Sequence, residues 1–168
     1  MYKVVKSPNI ELDLAAFEPP EGSIIIENKC IVNSDDEHIV KPYDDKSSIE
    51  FRNCEFAIGN QKFYSGSYIF TNNIYPFFNA YFKGSSDIII VEDGRNDRSG
   101  RQLFCELENC TVKLFGERTN LHRFHFYYND EAGYHSKIYI MSGFYRITEY
   151  QLDDSIWYSP NVIDMKER

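Results

Sequence analysis

Apolar residues in this chain recur at every second position, and in two stretches the apolar set changes parity partway along. Over residues 48–58, Ile49 and Phe51 hold one parity and Cys54, Phe56 and Ile58 the other, with the switch at Asn53. Over residues 103–114, Leu103, Cys105 and Leu107 give way to Cys110, Val112 and Leu114, with the switch at Asn109. Period-two alternation marks a half-buried strand. A strand whose apolar face changes parity needs a bulge or a tight turn at the switch. Asn is the non-glycine residue that best tolerates the left-handed backbone such a switch requires.

Phe51-Arg-Asn53-Cys54-Glu-Phe56 and Leu107-Glu-Asn109-Cys110-Thr-Val112 therefore read as one device used twice, each followed by a glycine, Gly59 and Gly116. An internal duplication of a β-meander unit would produce this. With only two copies, two unrelated hairpins of similar turn chemistry fit better. Asn-Cys steps also occur in parallel β-helices, but those need regular coils of about 20–30 residues, and no third copy stands out in register.

The other segments are strand-like too. Residues 23–33 carry Ile24, Ile26, Cys30 and Val32 at even spacing, and residues 61–71, 74–83, 121–128 and 136–150 are rich in aromatics. Asp87–Glu92 and the return at Arg101 read as the arms of a long hairpin. Turn signals recur about every 8–12 residues, the spacing of a sandwich or barrel. The 13 tyrosines and 13 phenylalanines suit a pleated surface. The expected architecture is thus one mainly β domain, an antiparallel β-sandwich or barrel-like meander with little helix. Its sheet core spans residues 23–158, with an N-terminal arm or short helix over 1–22 and a tail over 159–168. A length of 168 residues suits a single domain.

Eighteen basic and 26 acidic side chains leave a net charge of −8. That disfavours nucleic acid, whose affinity comes from clustered Lys and Arg, and anionic membrane surfaces. No signal-like apolar region opens the chain, and the longest purely apolar run, residues 88–91, is far short of the roughly 20 needed to span a bilayer. Cys30, Cys54, Cys105 and Cys110 form no CxxC pair and read as reduced thiols. A cytoplasmic protein is expected, with no cofactor or metal.

Catalytic signatures are sparse. His122 and His125, with Arg123 between them and His135 in a later turn, supply the base, acid and cation that phosphodiester cleavage needs. Their segment reads as a strand, however, where positions three apart face opposite ways. The Asp93-Gly94-Arg95 loop has Arg95 where a calcium loop wants an oxygen ligand. Glu50, Glu55, Glu106 and Glu108 read as solvent-facing strand residues, and Cys54 and Cys110 as inert core thiols.

The acidic residues, by contrast, gather in inferred loops beside aromatics. These are Asp35, Asp36 and Glu37; Tyr43, Asp44 and Asp45; Asp93; Asp130, Glu131 and Tyr134; and Asp153, Asp154, Trp157 and Tyr158. Carboxylates beside rigid aromatics combine charge steering with anchor residues. The expected function is a non-enzymatic module that binds a basic protein, in one version an immunity-type inhibitor that masks the active site of a toxin or nuclease. On composition alone, with no shared motif, the chain is like the small acidic immunity proteins of bacterial toxin systems. The alternatives are a metal-independent, RNase-like phosphodiesterase using His122, His125 or His135, and a β-sheet carbohydrate-binding protein.

Overall fold

The chain folds as a β-solenoid built from all-parallel sheets. The computed structural model describes residues 2–5, 10–57, 59–74, 78–83, 87–92, 102–116, 121–128, 136–142, 144–151 and 156–157, and the side chains within 10–57, 61–74, 80–83, 87–92, 107–116 and 136–142. No helix occurs among these residues.

Sheet 1 has eight strands: β1 (Tyr2–Val5), β3 (Ser23–Glu27), β6 (Ser48–Arg52), β9 (Ser67–Thr71), β11 (Asp87–Glu92), β13 (Thr111–Gly116), β15 (Lys137–Ile140) and β17 (Ile156–Trp157). Sheet 2 is short, with β2 (Glu11–Asp13), β4 (Cys30–Val32) and β7 (Glu55–Phe56). Sheet 3 has six strands: β5 (Ile39–Val40), β8 (Gly59–Tyr64), β10 (Phe78–Lys83), β12 (Gln102–Glu108), β14 (Leu121–Tyr128) and β16 (Phe144–Gln151). From β3 to β8 the path visits sheet 1, sheet 2 and sheet 3 in turn, and from β9 onward its strands alternate between sheets 1 and 3.

The antiparallel sandwich or barrel expected from sequence is therefore wrong, since every described pairing is parallel. Polar–apolar alternation normally signals an antiparallel sheet with one wet face, but a solenoid wall is also apolar inside and wet outside. Turn signals between successive strands mark corners here, and each strand's partner lies one coil away. The β11–β12 hairpin fails for that reason: β11 pairs with β9 and β13, and β12 with β10 and β14. The segment read as an arm or short helix holds β1 and β2.

Inside sheet 1, register stacks two columns: Ile24, Ile49, Tyr68, Ile88, Val112 and Ile138, and Ile26, Phe51, Phe70, Ile90, Leu114 and Ile140. Every member is at most 1% exposed. Successive members of the first column lie 25, 19, 20, 24 and 26 residues apart, so the coils are unequal. Val40, Phe63, Phe82 and Leu107 form the facing column of sheet 3. Phe51 stacks on Phe70 at 5.4 Å and Phe63 on Phe82 at 5.1 Å, while Phe63 meets Phe70 edge-on at 5.7 Å, an arrangement aromatic quadrupoles favour. Leu14 and Phe17 pack on this core in the coil that has no sheet 3 strand.

The corners explain the parity switches. Asn28, Asn53 and Asn72, with φ of 58°, 52° and 54°, end consecutive sheet 1 strands in the left-handed conformation. Asn28 N–H donates to Arg52 C=O, Asn53 N–H to Thr71 C=O and Asn72 N–H to Val91 C=O, each bond reaching the next coil. Asn109 (φ 53°) and Ser65 (φ 47°) turn the other corner, from sheet 3 into sheet 1. The two sequence copies thus share a local turn but sit at different corners. Three amides at or beside corners find a side-chain acceptor one coil on. Cys54 N–H donates to Asn73 Oδ1 at 2.8 Å, Cys110 N–H to Ser136 Oγ at 3.1 Å and Gly22 N–H to Ser47 Oγ at 3.1 Å, as backbone pairing requires.

Candidate functional site

Among the described residues, the coil around β5 departs from the tight-corner plan. Between β4 and β5, and again between β5 and β6, the chain makes wide acidic loops, so Asp35, Asp36, Glu37, Asp44 and Asp45 flank the two-residue strand β5. All five are exposed. Between them stand Ile39, 39% exposed, and Tyr43, 58% exposed, two of the few large apolar side chains open to solvent among the described residues.

The loops have defined shapes because short acidic side chains bond their own backbone. Asn33 Oδ1 accepts from Asp35 N–H, and Asp35 Oδ1 from Glu37 N–H at 3.0 Å. Asp44 Oδ1 accepts from Lys46 N–H at 3.0 Å and Ser47 Oγ–H at 2.7 Å. The bond from Ser47 is the main reason the Asp44 carboxyl titrates below the usual carboxylate range. At the base of the first loop, Asp13 Oδ1 accepts from Ser34 N–H and Ala15 N–H, and its bonds to Ser34 lower its pKa. Glu37 reaches Lys62 at 3.0 Å and raises the lysine's pKa.

Of the acidic–aromatic positions singled out by sequence, one group is therefore brought together on one coil: Asp35, Asp36, Glu37, Tyr43, Asp44 and Asp45. Trp157 lies on β17, in register with Ile138. Asp93, Asp130, Glu131, Tyr134, Asp153, Asp154 and Tyr158 fall outside the described residues, as does His135.

His122, Arg123 and His125 lie on β14. In a strand, positions 122 and 125 belong to opposite faces; 122 is in register with Tyr145, and 125 with Phe104 and Thr148. Among the described residues no three His, Cys, Asp or Glu side chains cluster as metal ligands. Cys54 and Cys110 are buried, as expected of core thiols, and burial pushes the Cys54 thiol up to about 11. Glu50 is buried on the outer face of sheet 1, held by Arg52 at 2.7 Å and Thr71 at 3.2 Å, while Glu108 lies on sheet 3, so these two do not form a carboxylate pair.

Sequence reasoning passed over a second cluster. Tyr64, Tyr81, Lys83 and Glu108 share the outer face of sheet 3, with Tyr81 O–H donating to Glu108 Oε2 at 2.6 Å. Its signal was Lys62-Phe63-Tyr64 and Tyr81-Phe82-Lys83, each polar–apolar–polar around an interior Phe. No helix among the described residues is long and apolar enough to cross a membrane. No family model, curated protein or solved structure matches the chain.

Proposed function

We propose that this protein is a non-enzymatic binding module whose ligand is a basic protein, held at the acidic coil around β5. One observation supports the proposal: five exposed carboxylates in two ordered loops flank exposed Ile39 and Tyr43 on a single coil. Carboxylates at a rim steer a cationic partner, and a central tyrosine anchors it. Neutralising a toxin or nuclease by covering its cationic active site is the version this chemistry suits best.

The experiment titrates cationic nuclease domains against the wild type and a charge-neutral variant, Asp35→Asn, Asp36→Asn, Glu37→Gln, Asp44→Asn and Asp45→Asn, at low and high salt. Binding that weakens with salt and is lost in the variant is expected. Binding indifferent to both changes would refute the proposal.

A further inference from the structure

The outer face of sheet 3 has a different character from the acidic coil. Strand alternation puts Lys62 and Tyr64 of β8, and Tyr81 and Lys83 of β10, on the wet side, opposite buried Gln61, Phe63, Ala80 and Phe82. The rings of Tyr64 and Tyr81 lie 6.0 Å apart at 46°, and Lys83 Nζ stands 5.9 Å from the centre of the Tyr64 ring. Glu108 is held from two sides, by Tyr81 O–H at 2.6 Å and by Lys83 Nζ at 3.8 Å. Its side chain is 18% exposed, which keeps the carboxylate in place yet reachable.

Among the described side chains of this face, the charges cancel. Lys62 pairs with Glu37 and Lys83 with Glu108, leaving a locally neutral surface on a chain of net charge −8. Such a surface complements an uncharged ligand and gives a cationic protein nothing to pair with. Tyrosine rings offer apolar faces at small entropic cost, and the adjoining carboxylate, ammonium and phenol groups both accept and donate. A ligand with apolar C–H faces and many hydroxyls matches both features. Lys62 and Tyr81, and likewise Tyr64 and Lys83, stand in register on strands about 4.8 Å apart. A chain of sugar rings laid along the solenoid axis would meet one strand after another.

We propose that the outer face of sheet 3, centred on Tyr64, Tyr81 and Glu108, binds a neutral oligosaccharide. The site touches the acidic coil only through the Lys62–Glu37 ion pair.

Calorimetric titration with cellohexaose, xylohexaose and mannohexaose tests this on the full chain, with thermal melting to confirm that each variant is folded. Binding of at least one of the three is expected, weakened about tenfold or more by Tyr81→Leu and only a few-fold by Tyr81→Phe, which keeps the ring. Tyr64→Leu gives the same reading should Tyr81→Leu fail to fold. An acidic-coil variant that keeps Glu37, with Asp35→Asn, Asp36→Asn, Asp44→Asn and Asp45→Asn, should bind the sugar like the wild type, so the two proposals fail separately. No binding of any of the three sugars, or leucine variants that bind as tightly as the wild type, would overturn the proposal.

Discussion

The solenoid turns its corners in two ways. At Asn53 one left-handed residue redirects the chain, and every polar group nearby is spoken for: Asn53 N–H by Thr71, Cys54 N–H by Asn73 Oδ1, and Phe51 C=O by Asn73 Nδ2. Around β5 the same job falls to acidic loops that bond mainly within themselves and stand in water. The tight corner couples adjacent coils and carries stability. The wide corners leave their carboxylates exposed to meet something else, so charge on them changes binding more than it changes the fold.

The largest contrast lies between Phe51 and Tyr43. Phe51 is fully buried against Phe56, Phe63 and Phe70, so Phe51→Ala should cost about 3–5 kcal/mol in chemical denaturation. Tyr43→Ala, on the exposed loop, should stay within about 0.5 kcal/mol. Equal losses would break the division.

Next comes Asn73, which is completely buried. Asn73→Ala leaves the Cys54 amide and the Phe51 carbonyl unpaired, each at a cost of about 1–3 kcal/mol. Asn53 should be milder: Asn53→Ala costs about 1–2 kcal/mol for its left-handed φ of 52°, whereas Asn53→Gly costs a few tenths. An alanine as stable as the glycine would mean the corner can relax.

A further effect is one of pH. Burial raises the Cys54 thiol from its ordinary value of 9.0 to about 11, so the folded state favours the neutral thiol. That contribution is whole below pH 9 and is lost as pH climbs towards 11. Stability should therefore fall across this window, and fall less steeply in Cys54→Ala, as urea titrations at several pH values would show.

Much of this architecture was legible locally. The switches at Asn53 and Asn109 and the left-handed turns they imply are in the structure, as is the burial of Cys54 and Cys110. The solenoid was not legible, because its other corners are disguised. Asn28 ends a strand within a stretch whose Ile24, Ile26, Cys30 and Val32 imitate one unbroken parity, although it is Ile31 that is buried beyond the corner. Asn72 is followed by Asn73 where Cys54 stands one coil earlier, and Ser65 does the work of an asparagine. With coils of 19 to 26 residues, no fixed period survives to be read. The acidic loops were visible as composition, but that two of them flank β5 on one coil depends on parallel winding, which strand periodicity does not encode.

Amide hydrogen exchange on the free protein tests the division between corners most directly. The Cys54 and Phe56 amides, bonded to Asn73 Oδ1 and Ile74 C=O, should exchange orders of magnitude more slowly than the Glu37 and Lys46 amides, which bond only to Asp35 and Asp44 in exposed loops. Cys54 exchanging as fast as Glu37 would contradict the account, because the tight corner would then not be what binds one coil to the next.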